Sequence, residues 1–179
     1  MYLLTKKLIN LKITNSKEED IDEIFRLYKI ASDYMKARYI VYWPEFEREL
    51  VATEIKENRQ WKMIIDGQIA CVWATTFTDA QIWEERDNDP SVYIHRIATN
   101  PNFRGQNFVT KIVTWSKDYA IANNKKFIRL DTVGENKGLI DHYTKSGFEY
   151  LGLLKLQNTE GLPAHYDNAA VSLFEIKLT

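Results

Sequence analysis

The sequence predicts a mixed α/β fold: one central mixed sheet with helices on both faces, in the order β-α-α-β-β-β-α-β-α-β-β. Three observations carry this. Two helical stretches follow the first strand, a hairpin meander comes next, and a β-α-β-α alternation precedes two closing strands. A doubly wound nucleotide-binding fold would alternate strand and helix from the start, and this chain does not.

Leu8 to Thr14 alternates as a first strand. Ser16 with Glu19 three residues later has the form of a capping box. The helix it opens carries Ile21, Ile24, Phe25 and Tyr28 at i, i+3, i+4 and i+7 and runs to about Arg38. After the cluster Tyr39 to Trp43, Pro44 suits the first turn of a second helix reaching about Asn58. Gln60 to Ile65 and Gln68 to Phe77 are apolar runs joined by Asp66-Gly67, a two-residue hairpin signal. Thr78 to Pro90 is polar and acidic. Val92 to Thr99 is a further strand, broken by Asn100-Pro101-Asn102. Arg104-Gly105 then leads into a helix with Val109, Ile112, Val113, Ser116 and Ala120 on one face. Phe127 to Val133 is a strand, and Asn136 to Ser146 a short helix closed by Gly147. Phe148 to Leu156 and Ala170 to Leu178 complete the sheet around a polar loop.

The length of 179 residues suits one domain spanning residues 1–179. Hydrophobic residues make up 45% and charged residues 27%, which excludes disorder and long coiled coils. Lys and Arg total 24 against 25 Asp and Glu, so no basic field for nucleic acid spans the whole chain. The one cysteine, Cys71, forms no internal disulfide and fits a reducing compartment. No run approaches the roughly 20 apolar residues of a membrane span, and Tyr2 to Leu4 is too short for a signal core. A cytoplasmic protein with neither membrane nor nucleic-acid partner is expected.

The segment Val92 to Phe108 holds the most chemistry. A strand that breaks at Asn-Pro and re-enters a long helix through Arg-Gly-Gln-Asn leaves backbone N–H groups free at the helix start. Such a turn suits a phosphate or pyrophosphate, with Arg104 and Lys111 adding charge; it also serves as an ordinary strand-to-helix connection. It is neither GxGxxG nor a Walker loop, which argues against nucleoside triphosphates.

The run Ile97 to Val109, read IATNPNFRGQNFV, resembles the acyl-CoA-binding motif of the GCN5-related N-acetyltransferases (GNAT). Asn136, then Tyr143 seven residues on, then Gly147-Phe148, resembles the second signature of that family. The order of elements is also similar to the family's, so the resemblance covers about Leu8 to Leu178. The family pattern has small residues where this chain carries Asn107 and Val109. Asn tolerates the backbone conformations that Gly takes, and Val109 has an alternative place in the core beside Ile112 and Val113.

The resemblance implies direct transfer of an acetyl group from acetyl-CoA, as co-substrate and with no metal, to a small-molecule or peptide amine. It implies that Arg104, Gly105, Gln106, Asn107, Phe108 and Val109 hold the cofactor's phosphates. By position the amide of Ile97 or Ala98 faces the thioester oxygen, and Thr99 bonds the pantetheine arm. Tyr143 takes the general-acid position, although its residue type and short helix equally suit packing. Asn136 matches a cofactor contact and equally suits a helix N-cap.

His95 is the candidate base from the residues themselves. Period-two alternation puts it on one face with Tyr93 and Ile97, with Arg96 turned the other way toward a carboxylate. An ordinary imidazole pKa of about 6.5 suits the role, and a structural histidine is the alternative. Glu84 to Asp89, four acids against one base, would draw a cationic amine or simply be solvated. Tyr39, Tyr42, Trp43, Trp73 and Trp83 are candidates for an acceptor pocket or for the core, and His165 and Tyr166 for its rim. Two further functions fit the sequence: a non-catalytic acyl-CoA sensor of the same fold, resting on Asn107 and Val109, and an interaction module using the loop before Ser91.

Overall fold

The computed structural model describes residues 10–38 and 41–179. Its strands are β1 (Leu11–Asn15), β2 (Gln60–Ile65), β3 (Gln68–Thr76), β4 (Ser91–Thr99), β5 (Phe127–Val133), β6 (Glu149–Lys155) and β7 (Ala170–Lys177). Its helices are α1 (Ile21–Arg38), α2 (Arg48–Lys56), the single turn α3 (Ala80–Trp83), α4 (Phe108–Ala122) and α5 (Lys137–Lys145). The predicted order holds, with α3 added in the acidic loop. The strands form one sheet in the order β1-β2-β3-β4-β5-β7-β6.

The Asp66-Gly67 hairpin forms as expected: both residues have positive φ, 48° and 82°, the pair a tight primed turn requires. The second helix starts at Arg48 rather than at Pro44. The first strand is described only from residue 10 onward, so Leu8 and Ile9 of the expected run, and the pocket candidate Tyr39, lie outside the described residues.

The capping box is displaced by one residue. Asp20, not Glu19, closes it by accepting from the Lys17 N–H at 2.7 Å. The reason is tertiary: Asp20 also receives the Lys62 ammonium at 2.5 Å from β2, and both side chains are nearly covered. Among the described residues the buried Ser16 hydroxyl has no hydrogen-bond partner.

Helices pack on both faces. Ile24, Leu27, Tyr28 and Val51 of α1 and α2 bury against Val72 and Ala98. Ile112, Val113 and Ala120 of α4 bury against Trp73, Val92 and Ile128 on the other face. All five residues expected on the inner stripe of α4 are buried. Trp73 and Trp83 are fully buried in the core, the second of the two places the sequence left open for them.

Two irregularities shape the centre of the sheet. Every pairing is antiparallel except β4 with β5, and that parallel contact covers only Ser91–Tyr93 against Phe127–Arg129. Beyond it the two strands part. Between β3 and β4, Ala74 pairs with His95 but Val72 with Ala98, so Trp73 alone faces Arg96 and Ile97. This is a β-bulge, with Arg96 at φ 51° as the added residue.

Candidate functional site

The parting of β4 from β5 opens a cavity of about 1220 Å³. Its walls include His95, Arg96 and Ile97 of β4, Leu130 to Val133 of β5, Asn136 and Tyr143 of α5, and Asp79 from the loop before α3. Tyr42, Trp43, Phe46, His165 and Tyr166 line it too, and the rings of Phe46 and His165 meet edge to face at 6.5 Å.

The bulge corrects the expected strand alternation. His95 lies opposite Ala74 and Ala98 opposite Val72, on the face covered by α1 and α2. Ile97 packs with the α4 cluster on the opposite face, so it does not share a side with His95. The same extra residue turns Arg96 onto the α1–α2 face. There its guanidinium donates to a carboxylate as expected, that of Glu54, and to the Tyr28 hydroxyl at 3.3 Å. An alternating apolar strand has no local signal for a bulge, so the sequence gives none.

Four of the expected site residues reach the cavity wall: His95, Ile97, Asn136 and Tyr143. Ala98 is buried under α1 and α2, and Thr99 sits against the Cys71 thiol at 3.8 Å. Arg104, Gly105, Gln106 and Asn107 form an exposed turn, while Phe108 and Val109 are core residues of α4. Gly105 and Asn107 both take left-handed backbone, φ 81° and 54°. Both positions turn the chain just before α4, whose first amides have no partner within the helix. The Arg104 guanidinium stacks on Tyr34, 5.2 Å from its ring centroid. Asn107 therefore takes the conformation usual for Gly, and Val109 points into the core.

The Tyr143 ring packs against Phe148 and Phe174. Burial, reinforced by nearby Asp131 and Cys71, pushes its hydroxyl pKa up to about 12, so it keeps its proton at neutral pH. Asn136 caps α5, its Oδ1 accepting from the Leu139 N–H at 3.1 Å, and also faces the cavity.

Around His95 the electrostatics differ from the sequence expectation. Burial, helped by Arg96 and Arg59, pushes the imidazole pKa down to about 3. Its Nε2 lies 3.6 Å from Asp79 Oδ2. Burial, with Asp131 and Asp87 nearby, pushes Asp79 up to about 8. Asp131, whose Oδ2 accepts from the Tyr166 hydroxyl at 2.9 Å, is pushed by burial up to about 6. Near neutral pH Asp79 is therefore mostly protonated and the imidazole is uncharged. Asp79 and Asp131 were not apparent as site residues because neither lies in a motif. The acidic run itself has other duties: Asp87 accepts from the Asp79 N–H at 2.7 Å, and Asp89 pairs with Arg129.

These shifts have opposite consequences for stability. An acid with a raised folded-state pKa contributes stability at low pH that is lost as pH rises through the folded value. For Asp79 the window runs from about 4 to about 8. His95, lowered to about 3, instead adds stability as pH rises from about 3 to about 6.5. Asp79→Asn removes the first effect alone. It is expected to match the wild type near pH 4 and to melt roughly 5 °C higher near pH 8.5. Thermal melts across that range check this; a constant offset between the two proteins would refute it.

The family model described as "Acetyltransferase (GNAT) family" matches residues 20–148. A Bacillus subtilis protein described as an uncharacterized N-acetyltransferase, YesJ, is 30% identical over 74 residues, 41% of each chain. MJ1207 of Methanocaldococcus jannaschii, described likewise, is 28% identical over 85 residues, 48% of this chain and 34% of that one. The matches thus span well under half of these relatives' length. Among solved structures, a Listeria monocytogenes acetyltransferase of the GNAT family aligns with TM-score 0.74 at 20% identity, covering 94% of this chain and 95% of that one. Salmonella typhimurium yncA, solved with its cofactor acetyl-CoA, aligns with TM-score 0.66 at 10% identity over 94% of each chain. Among the described residues no helix is long and apolar enough to cross a membrane.

Proposed function

Because the chain belongs to the GNAT acetyltransferase family, we propose that it transfers the acetyl group of acetyl-CoA directly to a primary amine within a ternary complex. The observation that carries this is the cavity at the divergence of β4 and β5, with the proton-bearing Tyr143 in its wall.

The parts of the chain then divide the work. The exposed Arg104 to Asn107 turn receives the pyrophosphate on its amides and the Arg104 charge. Thr99 and the freed edge of β4 bond the pantetheine arm. The bulge leaves the backbone of Ile97 outside the regular ladder, which makes its amide, or that of neighbouring Ala98, the donor to the thioester oxygen as charge grows there. Asn136 contacts the cofactor from the α5 cap. The amine nitrogen attacks the carbonyl carbon, the C–S bond breaks, and the departing sulfur takes the Tyr143 proton.

The amine must first lose a proton. His95 and Asp79, 3.6 Å apart, form the receiving pair. Of the two, Asp79 receives the proton in its ionised form, which burial makes the minor form near neutral pH. A non-catalytic sensor would rest on Asn107 and Val109; the left-handed backbone of the first and the core position of the second support the enzyme over that reading.

Calorimetric titration with acetyl-CoA, and separately with free CoA, tests the reading. Micromolar binding followed by acetylation within a panel of amines is expected. No heat up to millimolar cofactor would overturn it.

A further inference from the structure

The bulge in β4 is held from outside its own strand. Among the described residues, Arg96 is the one residue other than glycine with positive φ inside a strand; the other such positions are Asn, Asp or Glu84, all outside the strands. Asn and Asp tolerate left-handed backbone through their short polar side chains, which Arg lacks. Of the two common bulge forms, one puts the extra residue in right-handed backbone and the other puts Gly in left-handed backbone. Arg96 takes the second form without being Gly.

What keeps it there is its side chain. The guanidinium donates to the Glu54 carboxylate of α2 and, through Nε, to the Tyr28 hydroxyl of α1 at 3.3 Å. It lies over the Phe46 ring, 5.3 Å from the centroid. The Tyr28 hydroxyl in turn donates to Gln60 Oε1 of β2 at 3.4 Å. The Glu54 side chain is 5% exposed, so little water competes for it, and a hydrogen bond between charged groups under such cover is a strong one. The left-handed residue is thus anchored to two helices and a further strand.

We propose that Glu54 is a positioning residue for the transfer step. Through the Arg96 guanidinium it holds residue 96 in left-handed backbone, and so fixes the direction of the Ile97 N–H that meets the thioester oxygen. The proposal rests on the reading of the cavity as the transfer site. A donor already in place needs no reordering as charge builds on that oxygen. Displacing it by about 1 Å costs roughly 10²-fold in rate. Glu54 also lines the cavity, so direct contact with a substrate is the rival account that the test has to separate.

Steady-state kinetics of single and double variants, each with a melting curve and a CoA titration to show that it folds, provide that test. Arg96→Ala is expected to lower kcat about hundredfold at unchanged KM for acetyl-CoA, because Ala neither reaches α2 nor favours positive φ. Arg96→Gly also lacks the guanidinium, yet should regain about tenfold, since Gly takes a φ of 51° freely. That order reverses the usual one in strands, where Gly is the poorer residue. Glu54→Gln should lower kcat about tenfold in the wild type and by no more than about twofold in the Arg96→Gly background, where the guanidinium it acts through is gone. An Arg96→Gly enzyme no faster than Arg96→Ala would overturn the proposal. So would equal costs of Glu54→Gln in both backgrounds, which would mean that Glu54 meets a substrate itself, or losses of kcat that merely follow the melting temperature. Crystal structures of the two Arg96 variants read the same geometry without turnover: φ at residue 96 should stay positive with Gly and turn negative with Ala. If the wild type acetylates no amine, the transfer reading fails, and these φ values decide alone; a positive φ kept by Ala would then refute the anchoring.

Discussion

Tyr143→Phe is expected to lower kcat by roughly 10²- to 10³-fold with little change in the KM for acetyl-CoA. The substitution removes one oxygen and keeps the ring against Phe148 and Phe174, so the local packing survives. What disappears is the proton that burial keeps on the hydroxyl at neutral pH. The departing sulfur must then leave as a thiolate, stabilised only by solvent and backbone. Steady-state kinetics with a melting curve separates the outcomes. A large fall in kcat at unchanged melting temperature is the signature of lost acid catalysis. Turnover equal to wild type would end the role given to this hydroxyl.

The largest stability effect is expected at Arg129, whose side chain is 1% exposed. Its guanidinium donates to Asp89 and Glu175, both at 2.7 Å, to the Arg86 carbonyl, and to the Tyr93 hydroxyl at 3.3 Å. It also stacks over the Trp83 ring at 4.8 Å. Arg129→Met keeps much of the volume and leaves the nearly covered Glu175 without its cation. Breaking a buried pair from one side costs about 3–5 kcal/mol, which at this chain length lowers Tm by roughly 10 °C. Pairing it with Glu175→Gln should recover part of the loss. A drop smaller than about 2 °C would mean that water compensates the acids.

What could be read in advance follows from how local each signal is. The period of α4 and the Asp66-Gly67 turn are written in adjacent residues, and the structure keeps both. The capping box failed by one residue because Lys62, from another strand, decides which acid is held. His95 and Ile97 fell on opposite faces because one inserted residue at Arg96 reverses the alternation, and nothing in an apolar run announces it. Tyr143 and Asn136, singled out through the resemblance to the family's second signature, stand in the cavity wall, while the Arg104 to Asn107 turn is exposed ahead of α4. Asp79 was missed because its proton affinity comes first from burial in the cavity wall and then from Asp131, which only the folded sheet brings near.

The short β4–β5 contact makes the sheet a two-armed lever. Strands β1 to β4 form one arm, and β5, β7 and β6 the other, joined along the sheet by three residue pairs ending at Tyr93 and Arg129. A molecule entering between the arms acts as a wedge, and the load of prising them apart concentrates at the crack tip. That tip is where Arg129 ties both arms to the acidic loop through Asp89, Glu175 and Tyr93. Among the described residues the most heavily hydrogen-bonded side chain is thus the rivet, set where the cavity would otherwise run on through the sheet.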